Sequence, residues 1–149
     1  MYLHGAGARA SGLLDSGLAR EVSACGNAFG APVGYHPDSR FVRNWSMRAR
    51  ESSFERDDAI FLREVLADVQ SQPGVADTAV LLAGLSRYGS MVWDIACLDP
   101  SFATDCAPLA GAFWDDLPKS CAAAVMPVHT HGGSDRAVLL ERRSFGGGV

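Results

Sequence analysis

The sequence has little of what would suit it to a membrane or to nucleic acid. Its longest apolar runs, such as residues 79–83, are far too short to span a bilayer. Basic residues are not in excess, since 13 Lys and Arg accompany 17 Asp and Glu and the net charge is −4. No basic segment followed by an apolar one opens the chain, so no signal peptide is predicted. We therefore expect no nucleic acid and no membrane span among its partners.

The cysteines lack the spacing of a metal site. No CxxC or CxxH pattern occurs, so neither zinc nor another metal is predicted. Four buried thiols or two disulfides are both compatible with the count. The four cysteines are Cys25, Cys97, Cys106 and Cys121.

What is present suits one globular α/β domain over residues 1–149. The chain is 48% hydrophobic and 20% charged, an ordinary composition for a packed core. Ser53 is the predicted N-cap of the longest helix. Helices are predicted over residues 18–25, 54–70 and 89–98, strands over 78–83, within 102–110 and over 125–130, and a loop over 4–17. The order helix, strand, helix, strand predicts a parallel sheet with flanking helices.

A serine stands between a buried strand and a helix in "TAVLLAGLSRYGSMVWDIAC", residues 78–97. A strand, a tight turn with a serine and a helix form a nucleophile elbow, in which the hydroxyl of Ser86 would be exposed above the strand. Gly84 would relieve crowding in that turn. The alternative interpretation is an ordinary N-cap serine at the start of the helix.

Two further loops could serve the same chemistry. "LHGAG", residues 3–7, is similar to loops that give a second oxyanion N–H, although other glycine-rich loops share its composition. "HTHGGSD", residues 129–135, follows a predicted strand and ends in an acid that could orient a histidine. The alternative for Asp135 is an Asx-turn residue.

Together these blocks resemble the polyhydroxybutyrate depolymerase and feruloyl esterase group of α/β-hydrolase serine esterases. The matching blocks occur in the family's order and cover most of the chain from residue 54 onwards, whereas residues 12–43 match poorly. The blocks are "YLHGAG", Trp45, "DDAIFLREVLADV", "LLAGLSRYGSMVWDIACLDPSFA", "APLAGAFW" and "HTHGGSDRAVLLERRSFGGG".

The resemblance implies an α/β-hydrolase-type, mostly parallel sheet and assigns roles to five residues. Ser86 is the nucleophile and Asp135 the triad acid, while the backbone amides near Gly5 and Ala6 and that of Arg87 form the oxyanion hole. It also pairs Cys97 with Cys121 in a disulfide and implies a secreted or periplasmic location, because members of the family often occur there.

The sequence departs from the family pattern at two places. Tyr88 replaces the second glycine of Gly-x-Ser-x-Gly and is expected to crowd the helix against the strand, so that Tyr88→Gly should not lower activity. No histidine follows Asp135, although the triad histidine comes after the acid in this fold. The four histidines are His4, His36, His129 and His131. We therefore expect a domain that is incomplete at both ends.

Two hypotheses follow. The first is a serine carboxylic-ester hydrolase acting through an acyl-enzyme on Ser86, without a metal or an organic cofactor. Its substrate would be a polyester oligomer, a polysaccharide-linked ester or a small ester. The alternative is a non-catalytic remnant of the same fold that lacks the triad histidine.

Overall fold

The sheet of this protein is parallel. The structure, a computed structural model, describes residues 1–5, 7–34, 57–113, 118–124 and 126–138. Its strands lie side by side in the order β1 (Tyr2–Leu3), β2 (Leu81–Leu85) and β3 (Asp105–Leu109). Leu3 lies opposite Gly84, and Leu85 lies opposite Leu109, so β2 is the central strand of the three. The predicted α/β class is confirmed.

Helices flank this sheet in the described residues. They are α1 (Ala10–Leu14), α2 (Gly17–Ala24), α3 (Asp58–Gln70) and α4 (Arg87–Leu98). The prediction of a loop over residues 4–17 is wrong at α1. The residues of α1 are mostly small and show no helical spacing of apolar side chains, so no pattern in the sequence indicated a helix there. The helix predicted over 18–25 is confirmed as α2, where the Ser16 hydroxyl accepts the N–H of Ala19 at 3.2 Å. None of these helices is both long and apolar enough to cross a membrane.

Helix α3 begins later than predicted. Its N-cap is Asp57, whose carboxylate accepts the N–H groups of Ala59 and Ile60 at 2.9 and 3.2 Å. The predicted cap Ser53 lies outside the described residues. An aspartate at this position satisfies two N–H groups that have no partner within the helix, and its charge suits the helix dipole.

Strand β2 is shifted by a few residues from the predicted span 78–83. The N–H of Val80 donates to the hydroxyl of Thr104 at 2.9 Å, and that hydroxyl donates to the carbonyl of Val80 at 2.9 Å. The Thr104 side chain thus takes the place of a backbone acceptor for the Val80 N–H, while the Val80 carbonyl also accepts the backbone N–H groups of Thr104 and Asp105. The regular ladder begins with Leu81 opposite Asp105.

Of the strand predicted over residues 125–130, the described residues 126–130 form only a part, and residue 125 lies outside the described residues. The N–H groups of Val128 and Thr130 donate to the carbonyls of Cys106 and Pro108, at 2.9 and 3.2 Å, and Thr130 bridges Leu109 in parallel. A regular ladder would also need an N–H at position 108 to donate back, and proline has none. The segment therefore lies beside β3 without forming a continuous strand.

The core lies between β2, α3 and α4. Its buried members are Leu3, Leu62, Leu82, Tyr88, Met91, Val92, Ile95, Ala96, Phe102 and Cys106. A disulfide joins Cys97 in α4 to Cys121, and the N–H of Ala122 donates to the Cys97 carbonyl at 2.8 Å. Cys25 and Cys106 are free thiols, so the cysteines form neither four thiols nor two disulfides. The disulfide ties residues 118–124 to the end of α4.

Candidate active site

Ser86 occupies a strained turn between β2 and α4. Its φ is 62° and its ψ is −130°, a region that is nearly confined to glycine and costs about 1–3 kcal/mol for other residues. The turn is held because the N–H of Ser86 donates to the Leu109 carbonyl at 2.8 Å and its carbonyl accepts the N–H of Ser90 at 3.1 Å. Strain of this kind is typical of functional turns.

The hydroxyl of Ser86 does not cap the helix. Ser86 is the N-cap residue of α4, yet its side chain accepts no hydrogen bond from the first turn, all of which is described. The residue is half-buried. An ordinary N-cap serine accepts an N–H from the second or third helical residue. The alternative interpretation of Ser86 as a capping residue therefore lacks the hydrogen bond on which it depends.

Glycines permit the close approach of α4 to the sheet. A Cβ on Gly84 would lie 2.6 Å from the carbonyl oxygen of Tyr88, and one on Gly89 would lie 2.5 Å from that of Leu109. Gly111 faces Gly89 so closely that a Cβ there would also collide with α4 backbone. The close pairing of Gly89 with Gly111 keeps the turn tight, and the spacing of the elbow residues gave no signal of it.

Tyr88 does not crowd the elbow, so that expectation is wrong. The closest approach falls at Gly84 and Gly89, and the side chain of Tyr88 points into the core, where it is fully buried. Its ring lies against the imidazole of His4, with 5.5 Å between the ring centroids. Burial raises the pKa of the Tyr88 phenol. The tyrosine is a core residue that joins the start of α4 to the loop after β1.

We now expect Tyr88→Gly to destabilise the protein. Removing a buried aromatic ring costs about 3–5 kcal/mol, and glycine in a helix adds about 1 kcal/mol. Chemical denaturation of the variant should show this loss, while Tyr88→Phe, which keeps the ring, should lose much less. An unchanged free energy of unfolding in Tyr88→Gly would contradict the buried position.

The loop after β1 lies beside Leu85, the residue before Ser86. A Cβ on Gly5 would lie 4.0 Å from the side chain of Leu85, the residue before the serine. Arg87 is the first residue of α4, where backbone N–H groups have no partner within the helix. Ala6 lies outside the described residues. The positions of Gly5 and Arg87 are compatible with donors on either side of the serine.

His4 is a structural residue of this loop. Its imidazole is fully buried, and Nε2 lies 3.0 Å from the N–H of Gly34, from which it accepts. The proton of the neutral ring is then on Nδ1, which donates to the Gly5 carbonyl at 3.1 Å. Both ring nitrogens are engaged, so His4 is not placed to take a proton from Ser86.

Asp135 lies in a compact loop after the segment beside β3. Its Oδ1 accepts the N–H groups of Ala137 and Val138 at 2.8 and 3.0 Å, and these bonds lower the pKa of the carboxyl. The Asx-turn interpretation of Asp135 is thus correct for one oxygen. Because the folded pKa is lowered, this stabilisation is present above the unfolded pKa and is lost as the pH falls through the folded one.

The topology brings Ser86 and Asp135 to the same end of the sheet. Ser86 follows the carboxyl end of β2, and Thr130, which bridges Leu109 at the carboxyl end of β3, leads into the Asp135 loop. Parallel strands collect their functional loops at that end. Among the described residues, no group of His, Cys, Asp and Glu side chains could hold a metal ion.

Comparison with known proteins identifies the fold but not a family. No protein-family model matches the sequence, and no curated protein gives a significant match. A solved structure that resembles the chain is the crystal structure of a single-residue variant of Arabidopsis thaliana SOBER1, an α/β-hydrolase. The TM-score is 0.51 at 19% identity, over 93% of this chain and 76% of that one.

The fold is of the α/β-hydrolase type. The structural likeness supports the α/β-hydrolase fold that the sequence resemblance implied. It does not confirm the polyhydroxybutyrate depolymerase and feruloyl esterase group. At 19% identity the comparison shows the fold alone.

Proposed function

We propose that this chain carries the nucleophile, the acid and the oxyanion donors of a serine carboxylic-ester hydrolase. The observation that carries the proposal is the backbone of Ser86, at φ 62° and ψ −130° directly after the central parallel strand. Such strain persists only where the surrounding structure enforces it, and it clusters at active sites. A serine hydroxyl held there, at the start of a helix, suits nucleophilic attack.

In the proposed reaction, the hydroxyl oxygen of Ser86 attacks the ester carbonyl carbon and a base takes its proton. The oxyanion accepts N–H groups of Arg87 and of the loop containing Gly5 and Ala6. The alcohol leaves with a proton, and an acyl ester on Ser86 remains, which water then hydrolyses to the acid and the free serine. The remaining oxygen of Asp135 would orient the base and stabilise its charge.

The sequence blocks favour the polyhydroxybutyrate depolymerase and feruloyl esterase group as the finer assignment. On that assignment the substrate is a polyester oligomer, a polysaccharide-linked ester or a small ester. No metal and no organic cofactor takes part in this reaction. The base is not assigned to His4 or His131, because both nitrogens of each ring have partners.

The test supplies the base from solution. The 149-residue chain should hydrolyse a short-chain chromogenic ester when imidazole is added, roughly 10²-fold faster than without it, the range of general-base catalysis. The same imidazole concentration with Ser86→Ala measures the background, and Ser134→Ala, which removes an exposed hydroxyl, is the matched control. Asp135→Asn keeps an acceptor for the loop N–H groups but loses the charge, and its imidazole-dependent rate should fall towards background.

The alternative, a non-catalytic remnant, predicts a different outcome. Its support is that the nitrogens of His4 and His131 are engaged in structural hydrogen bonds. If imidazole raises hydrolysis equally in the parent chain and in Ser86→Ala, the esterase proposal fails and the remnant is favoured.

A further inference from the structure

The loop from His131 to Val138 is closed by hydrogen bonds at several points. The N–H of Asp135 donates to the Gly132 carbonyl at 3.0 Å, and Oδ1 of Asp135 accepts from Ala137 and Val138. One carboxylate oxygen is therefore committed to the backbone. The orientation of the carboxylate, and so the direction of Oδ2, depends on what holds the far end of this loop at Val138.

His131 holds that end. Its side chain is 3% exposed, and Nε2 lies 2.6 Å from the Val138 carbonyl. A carbonyl oxygen can only accept, so Nε2 carries a proton. This hydrogen bond holds Val138 close to the start of the loop, and the N–H of Val138 donates to Oδ1 of Asp135. Val138 is thus held through both backbone groups: its carbonyl accepts from the imidazole, and its N–H donates to the carboxylate.

The Val138 carbonyl fixes the tautomer of His131, and His129 lies at the other ring nitrogen. With its proton on Nε2, His131 can accept a hydrogen bond at Nδ1, which lies 3.1 Å from Nε2 of His129. His129 packs on Trp93, with 5.5 Å between the rings. Burial and the neighbouring His131 lower the pKa of His129, against an opposing hydrogen bond with the backbone of Pro108.

The distance between His131 and Asp135 has a consequence for the candidate triad. Nε2 of His131 is 3.8 Å from Oδ2 of Asp135, too far for a hydrogen bond, and its proton is directed to Val138. Oδ2 accepts no hydrogen bond from the side chains or backbone that the structure describes. The carboxylate is held by one oxygen while the other remains available to an N–H from a base.

We propose that His131 is a positioning residue, which fixes the Asp135 loop so that Oδ2 can orient the base. The inference rests on the proposed function, because it takes Asp135 to be the acid. His131 itself does not take the proton of Ser86. It acts through Val138 and Asp135.

The experiment compares His131→Leu, which removes both ring nitrogens, with His131→Gln, whose amide can still donate to Val138. In His131→Leu the amides of Ala137 and Val138 should exchange with solvent faster, and the pKa of the Asp135 carboxyl should rise, because its backbone donors are loosened. NMR measures both without any catalysis. The imidazole-dependent, Ser86-dependent hydrolysis should fall on the order of 10-fold, the lower end of the loss known for residues that orient metal ligands, with the ester KM unchanged.

The glutamine variant and the free energy of unfolding separate positioning from general stability. His131→Gln should restore the carboxyl pKa, the amide protection and most of the rate. If His131→Leu leaves the Asp135 pKa and the exchange of both amides unchanged, the positioning role is refuted. If the NMR changes occur but no variant shows Ser86-dependent hydrolysis, the loop mechanism stands and the proposed esterase function fails.

Discussion

Without added imidazole, the 149-residue chain should hydrolyse a short-chain ester roughly 10⁶-fold more slowly than an esterase with a complete triad, the loss that follows removal of the histidine in a serine protease. A serine hydroxyl is a weak nucleophile unless a base takes its proton. His4 is engaged with Gly34 and Gly5, and His131 with His129 and Val138. What remains is substrate binding and the oxyanion donors, worth roughly 10³- to 10⁴-fold over water.

This rate can be measured with a chromogenic acetyl or butyryl ester against Ser86→Ala. Turnover at ordinary esterase rates, lost in Ser86→Ala, would contradict the expectation and would mean that a histidine before Asp135 acts as base. His4→Gln, His36→Gln, His129→Gln and His131→Gln would then identify which one. Loss of that turnover in His131→Gln would also refute its assignment as a positioning residue only.

Replacing Gly89 by alanine should prevent the chain from folding or lower its free energy of unfolding by at least about 4 kcal/mol, at the extreme of single substitutions. A Cβ there would lie 2.5 Å from the Leu109 carbonyl oxygen, 3.0 Å from that of Gly84 and 3.1 Å from the N–H nitrogen of Gly111. All three are backbone atoms, which cannot move aside as a flexible side chain can. The helix would have to leave the sheet, and the strained turn at Ser86 would open.

Gly12→Ala is the matched control, because a Cβ at Gly12 in α1 meets nothing within 4 Å. It should leave stability unchanged or raise it by up to about 1 kcal/mol, the helix preference of alanine over glycine. Circular dichroism and urea denaturation measure both variants. A Gly89→Ala protein as stable as its Gly12→Ala counterpart would contradict the packing of α4 on β2 and β3.

The elbow could be predicted from the sequence because it is a local pattern. An apolar run, a glycine, a serine and a helical period follow one another within residues 78–97, and the structure has strand, turn and helix in that order. The conformation of Tyr88 could not be predicted in the same way. Its position depends on His4, which is far away in sequence and reaches it only through the pairing of β1 with β2.

The segment beside β3 shows a second limit. Residues 125–130 have the composition of a strand, but whether they form one depends on a neighbour, and Pro108 supplies no N–H there. The hydrogen bonds of His129 and His131 also could not be predicted from the spacing of residues in the sequence. They arise because the loop folds back to bring Val138 to the imidazole.

The central claim is that Ser86 is the nucleophile, and the most direct test is to find the acyl group. The chain is mixed with a p-nitrophenyl ester and imidazole, quenched in acid and digested, and the peptide containing residues 78–97 is analysed by mass spectrometry. We predict an added acyl mass on Ser86, absent from Ser86→Ala and absent from the buried Ser90. Acylation only at other residues, or no acylation while imidazole accelerates hydrolysis, would contradict the claim.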